Sequence, residues 1–144
     1  MPTRTAQTTW TGDFIGGTGE VKLSSSGAAE FDVSFPTRSA SAANRLTSPE
    51  ELIAAAHSSC LAMQLSSLIV EIGGHPQRLI VAADVTLGPD LTGYKLSGIH
   101  LTVRGAVDGL DQEAFAKVVE AAKESCPVSK ALTGVEISWE ASLL

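Results

Sequence analysis

Apolar and polar positions alternate with period two over the first part of the chain. In residues 19–26 (GEVKLSSS) Val21 and Leu23 share a face, and in residues 29–35 (AEFDVSF) Phe31, Val33 and Phe35 do. Alternation of this kind, with a Ser-Gly break between the runs, predicts antiparallel strands. Residues 3–11 (TRTAQTTWT) have the threonine and tryptophan density of a strand, and Gly12, Gly16, Gly17 and Gly19 mark a turn region after it. Pro36 is expected to end the third strand. Residues 36–48 (PTRSASAANRLTS) are expected to form a polar loop that carries Arg38 and Arg45.

The period then changes. Ser48 suits an N-cap, Pro49 the first helical position, and Glu51 the return partner of a capping box. The predicted helix runs to about Ile72, where Gly73-Gly74-His75-Pro76 stops it. Its roughly 24 residues span about 36 Å. Leu52, Ile53, Leu61, Leu65, Leu68 and Ile69, with the alanines between them, cover much of its circumference. A helix that is apolar nearly all round is a buried one, so this segment is expected to be the central core helix or to cross a subunit interface.

Two more strands follow, residues 79–88 (LIVAADVTLG) and 94–107 (YKLSGIHLTVRGAV). A second helix is predicted from Gln112 to about Ser125, capped by Asp111, with Phe115, Val118, Val119 and Ala122 as its apolar stripe. Pro127 breaks it. A short helical turn, Val128 to Leu132, and a last strand, residues 135–141 (VEISWEA), complete the chain. The order β-β-β-α-β-β-α-β lacks regular βαβ alternation and is α+β. With no internal repeat and no linker-like stretch, one domain over residues 1–144 is expected.

Composition narrows the function classes. Of 144 residues, 44% are hydrophobic and 18% charged, an ordinary globular balance. The net charge of −6 and pI near 4.9 argue against nucleic acid or an anionic membrane as partner. Residues 1–12 are polar, without the apolar run of a secretory signal. The most apolar region, residues 52–72, is interrupted by His57, Ser58, Ser59, Gln64, Ser66, Ser67 and Glu71, short of the ~18 apolar residues of a membrane span. Cytoplasmic residence is the expectation.

Candidate chemistry centres on the two cysteines. Cys60 lies inside the long helix beside small residues, where a substrate in a groove would reach it. A mid-helix thiol gains nothing from the helix dipole, so a thiolate there needs a cation from elsewhere, and Arg38 and Arg45 precede the helix. Cys126, in Cys126-Pro127-Val128-Ser129, closes one helix and opens the next, a setting that lowers a thiol pKa. Both cysteines are equally readable as small buried hydrophobes. His57 and Cys60 have i, i+3 spacing, but His75 and His100 bring no ligand pattern, and a structural zinc site needs about four ligands. Gly16-Gly17-Thr18-Gly19 lacks the lysine of a phosphate loop, and Ser58-Ser59 lacks the pattern of a nucleophile elbow.

Two longer motifs carry more. Ser48-Pro49-Glu50-Glu51-Leu52-Ile53-Ala54-Ala55-Ala56-His57-Ser58-Ser59-Cys60 and Ala122-Lys123-Glu124-Ser125-Cys126-Pro127-Val128-Ser129, with Trp10-Thr11-Gly12-Asp13 and Phe35-Pro36-Thr37-Arg38, resemble the OsmC/Ohr family of thiol-dependent peroxidases. The absence of arginine from residues 12–20 and its presence at Arg38 place the resemblance closest to the OsmC branch. Ser48 departs from the asparagine common in the family, and both are good caps. The resemblance implies an OsmC-like fold with antiparallel strands packed around a long central helix, in an intertwined homodimer whose sites are built by both subunits. It implies Cys60 as the peroxidatic thiolate, Arg38 as its activating cation, Glu50 as the carboxylate that orients Arg38, and Cys126 as the resolving thiol. Organic hydroperoxide is then the substrate and a redox-active Cys60–Cys126 disulfide replaces any other cofactor. A dithiol of the dihydrolipoyl type is the expected reductant. His57, about 60° around the helix from Cys60, is taken as structural. The competing expectations are a non-catalytic thiol redox sensor or binding protein, and a structural protein with inert cysteines.

Overall fold

The computed structural model describes residues 1–144. The elements are strands β1 (Gln7–Thr11), β2 (Thr18–Lys22) and β3 (Glu30–Val33), helices α1 (Phe35–Ser39) and α2 (Pro49–Glu71), strands β4 (His75–Asp90) and β5 (Gly93–Asp108), helices α3 (Gln112–Ser125) and α4 (Pro127–Ala131), and strand β6 (Ile137–Leu143). They form an α+β structure with two three-stranded sheets. The chain divides into two compact units, Met1–Leu52 and Ile53–Leu144, with the boundary after the first turn of α2.

The first unit is the antiparallel meander β1-β2-β3 followed by α1. The glycine-rich turn after β1 is closed by its own groups. Asp13 Oδ1 accepts from the N–H of Ile15 and Gly16 at 3.0 and 2.6 Å, and Gly17 N–H donates to the Asp13 carbonyl at 3.0 Å. A Cβ on Gly17 would sit 2.3 Å from that carbonyl, so only glycine lets the turn close. The donors a phosphate would require are thus already committed.

Helix α1 corrects the polar loop expected over residues 36–48. Pro36 ends β3 from a distance but also sits in the first turn of this helix, and Ser34 caps it by accepting from Thr37 N–H at 3.3 Å. A proline two residues after a serine reads both ways; proline stops a strand and starts a helix.

The second unit carries the main core. The 16-residue strands β4 and β5 form a long antiparallel hairpin, and β6 adds to β5 in parallel. The parallel β5–β6 pair departs from the all-antiparallel expectation: α3 and α4 intervene and return the chain to the same edge in the same direction. Ile99, Leu101 and Val103 of β5, Phe115, Val119 and Ala122 of α3, and Leu61, Leu65 and Ile69 of α2 are buried together in one cluster. A Cβ on Gly105 would lie 2.8 Å from the Phe115 ring, which fixes how closely α3 approaches β5.

Helix α2 begins as predicted, with Glu51 N–H donating to Ser48 Oγ at 3.2 Å. The Glu51 carboxylate, however, accepts from Thr47 Oγ1 at 2.6 Å and not from the cap backbone. By length and mean hydropathy (1.5) α2 reaches the measure of a membrane span. One face of it is sealed in the core, yet Met63 is 74% and Val70 60% exposed. The helix is apolar all round, but within one chain only one side is buried.

Candidate active site

In the second unit, α2 presents Cys60 and the α3–α4 junction presents Cys126. Cys126 is the C-cap of α3, where its N–H donates to the Ala122 carbonyl at 2.8 Å, and at once the N-cap of α4, where Pro127 starts the next helix. This forced break aims the Cys126 side chain at α2. The two sulfurs lie 3.1 Å apart, both as free thiols. A covalent S–S bond is about 2.05 Å, so a shift of about 1 Å joins them. Cys126 is fully buried and Cys60 half-buried, which leaves Cys60 as the thiol an incoming molecule meets first.

Electrostatics inside this unit oppose ionising Cys60. Burial first, and the hydrogen bond with Cys126 second, push its thiol up, and the Val128 N–H only partly offsets them. Burial opposes ionisation of Cys126 as well. The N–H of Ser129, the bond with Cys60, the Ser129 hydroxyl and the Val128 N–H together nonetheless hold Cys126 below its usual value. The two thiols are thus shifted in opposite directions.

The first unit holds one poised arginine. Arg38, in the last turn of α1, donates from Nε to both Glu50 oxygens at 3.1 and 3.2 Å and from Nη2 to Oε1 at 2.7 Å. Glu50 is 7% exposed, in the first turn of α2. None of these bonds uses Arg38 Nη1. Arg38 also lines a cavity of about 410 Å³ with Trp10, Phe14, Val33, Phe35 and Leu52. The Phe14 and Phe35 rings pack at 4.0 Å between centroids. A permanent cation at the edge of an apolar cavity suits a ligand with a polar head and an alkyl body.

Residues 42–140 match the family described as OsmC-like protein. The chain belongs to that family. It is 36% identical to peroxiredoxin OsmC of Escherichia coli (strain K12) over 88% of this chain and 87% of the relative. It is 31% identical to the organic hydroperoxide resistance protein OhrA of Bacillus subtilis (strain 168), over 88% and 89%. Among solved structures, the organic hydroperoxide resistance protein OhrB of Bacillus subtilis superposes with a TM-score of 0.75 at 30% identity, covering 96% of this chain and 98% of that one.

Within this OsmC-like chain the predicted site residues fall into two pairs. The fold brings Cys60 to Cys126 in the second unit and Arg38 to Glu50 in the first. His57 and Cys60 gain no further ligand; no group of three or more His, Cys, Asp or Glu side chains that could hold a metal occurs. The packing also brings together two residues that the sequence reading does not connect, Ser129 and His57. They meet at 2.6 Å between Oγ and Nε2, 72 residues apart. The only sequence signal was the spacing of Ser129 three residues after Cys126 across a helix start.

Proposed function

We propose that this OsmC-like chain is a thiol peroxidase that reduces organic hydroperoxides to alcohols with Cys60 and Cys126. The observation that carries this reading is the reduced pair of sulfurs 3.1 Å apart, one reachable and one buried. The names of the relatives, a peroxiredoxin and hydroperoxide resistance proteins, support the peroxidase class.

In the proposed cycle the Cys60 thiolate attacks the outer peroxide oxygen. The O–O bond breaks, Cys60 becomes a sulfenic acid, and the alkoxide takes a proton to leave as alcohol. Arg38, oriented by Glu50, stabilises both the thiolate and the departing alkoxide. Cys126 then condenses with the sulfenic acid to a disulfide, releasing water, and a dithiol of the dihydrolipoyl type reduces it by exchange. The redox-active disulfide is the only cofactor this cycle requires.

Homodimerisation completes the proposal. The exposed apolar side of α2, with Met63 and Val70, is the face a second copy would cover, and each site would draw on both subunits. Steady-state turnover of tert-butyl hydroperoxide and of hydrogen peroxide, each with dihydrolipoamide and with thioredoxin as electron source, tests the reading. Sustained turnover, fastest with the organic substrate and dihydrolipoamide, is expected. Consumption that stops after one equivalent per chain would instead make the protein a sensor.

A further inference from the structure

Two side-chain contacts join α2 to the Cys126–Ser129 segment, and the attack on peroxide uses only one of them. The sulfurs of Cys60 and Cys126 lie 3.1 Å apart, and His57 Nε2 lies 2.6 Å from Ser129 Oγ. His57 and Cys60 are three residues apart on α2, and Cys126 and Ser129 are three apart across the start of α4. Three residues rise about 4.5 Å along a helix. The two contacts are therefore neighbouring rungs, about one helical turn apart. His57 is fully buried and Ser129 is 5% exposed. His57 Nδ1 has no partner. A buried N–H without an acceptor costs more than an unfilled lone pair, so the ring proton sits on Nε2 and is donated to Ser129 Oγ. A pair of apolar side chains would fill this place without orphaning a ring nitrogen, so packing alone gives no reason for a histidine here.

We propose that the His57–Ser129 hydrogen bond is a clamp that holds the start of α4 against α2, so that in the reduced protein Cys126 stays within closing distance of Cys60. His57 and Ser129 are then positioning residues. This rests on the two-cysteine reading above and adds what keeps the second thiol in place between turnovers. Helix α4 has five residues, too few to be stable by itself, and Cys126 gives it no side-chain cap bond. Val128 and Leu132 pack against the core cluster, but apolar contact is non-directional and leaves the segment free to slide. The Cys126 N–H ties the junction to the Ala122 carbonyl of α3. Toward α2 the reduced junction has only the two rungs, and a thiol is a weak donor and a weak acceptor. The His57–Ser129 bond is the stronger rung.

The clamp acts on closing and not on opening. A disulfide forms only while the sulfurs are close, so the closing rate and the disulfide equilibrium both scale with the fraction of reduced protein that holds them close. In the oxidised protein the S–S bond itself holds them. One buried neutral hydrogen bond biases such a fraction by up to about tenfold. Loss of either partner should thus lower the oxidised-to-reduced ratio by about threefold to about tenfold, and tenfold is about 30 mV for this two-electron couple. In opening, a thiolate of dithiothreitol attacks Cys60, the more exposed sulfur. The S–S bond breaks, Cys126 leaves and takes up a proton, and the second dithiothreitol thiol displaces Cys60 by closing its own disulfide. A bond with a merely structural role would steady both forms alike and leave the ratio where it is.

Full-length protein is equilibrated in buffers of reduced and oxidised dithiothreitol, quenched by alkylation, and resolved by mass spectrometry into dithiol and disulfide. The opening rate is followed separately, from fully oxidised protein in excess dithiothreitol. Ser129→Ala and His57→Leu are expected to lower the oxidised-to-reduced ratio by about threefold to about tenfold while opening at the native rate. The double variant should fall no further than the single ones, because all three lack the same bond. His57→Gln keeps an N–H near Nε2 and is expected to restore the ratio. A native ratio in both Ser129→Ala and His57→Leu, or a lowered ratio matched by an equally raised opening rate, would overturn the proposal. Native protein that forms the disulfide in these buffers but whose Cys60 resists tert-butyl hydroperoxide would overturn the peroxidase reading instead, and the ratios still decide the clamp.

Discussion

Replacing Glu50 with glutamine isolates what the carboxylate does for Arg38. Arg38 Nε and Nη2 donate to Glu50 at 2.7 to 3.2 Å, and the Glu50 side chain is 9% exposed against 32% for Arg38. Glutamine keeps the length and one acceptor oxygen but turns an NH₂ group toward a guanidinium that only donates. One limb of the fork is lost, and the other becomes a bond to a neutral acceptor. Breaking a fully buried pair costs about 3–5 kcal/mol, and an exposed pair is worth about 1 kcal/mol or less. With Arg38 one-third exposed, the solvent-screened value falls between, at about 2 kcal/mol. For a chain of this size that lowers Tm by about 6 °C. Turnover should fall further than stability suggests, by about tenfold to about a hundredfold, because a guanidinium free to swing leaves its productive position. Thermal unfolding followed by circular dichroism, and kcat/KM for tert-butyl hydroperoxide, measure the two effects. Arg45→Ala, in the same segment but exposed, is the control and should change neither. A Glu50→Gln variant with unchanged Tm and unchanged kcat/KM refutes the reasoning outright. A lowered Tm with native turnover would show that the pair only braces α1 against the start of α2.

Three further outcomes are expected. Cys126→Ser should consume one equivalent of hydroperoxide and then stall with Cys60 as sulfenic acid or higher oxides, detected by mass spectrometry, whereas Cys60→Ser should not react at all. Phe14→Ala should open the apolar cavity beside Arg38 and raise KM for long-chain hydroperoxides. Each buried methylene is worth up to about 0.8 kcal/mol, near fourfold, so the native preference for chain length should flatten while hydrogen peroxide kinetics stay put. Burial holds the His57 pKa below its ordinary 6.5, so the unfolded chain takes up a proton before the folded one does. Stability is unaffected above about pH 6.5 and falls by up to about 1.4 kcal/mol per pH unit below it, until His57 itself protonates. Denaturant unfolding of native protein and His57→Gln between pH 7.5 and 5 checks this: the acid loss should be smaller in the variant.

Much of this was legible in the sequence because it is local. Alternation marked β2 and β3, Ser48-Pro49 marked the start of α2, and Asp111 with the Phe115-Val118-Val119-Ala122 stripe marked α3 almost to the residue. The motif around Cys60 and that around Cys126 pointed to the family that residues 42–140 then matched. Local signals failed where one residue type serves two purposes. Pro36 was read as a strand breaker and also starts α1. Glu51 reads as half of a capping box, but its carboxylate accepts from Thr47 Oγ1 instead.

Tertiary structure decided what depends on residues far apart in the chain. No periodicity states that β6 runs parallel to β5, since that follows from two helices carrying the chain back along the sheet. Nothing local places Cys126 against Cys60, 66 positions away, or Ser129 against His57. The opposite shifts of the two thiols are likewise beyond any motif, because burial and the groups around a helix junction set them. The sequence by itself determined which residues are candidates for the chemistry, because the motifs around Cys60 and Cys126 are contiguous in the chain. Packing decided that Cys60 meets Cys126 and that desolvation pushes the Cys60 thiol up, because both depend on groups that lie far apart in the chain.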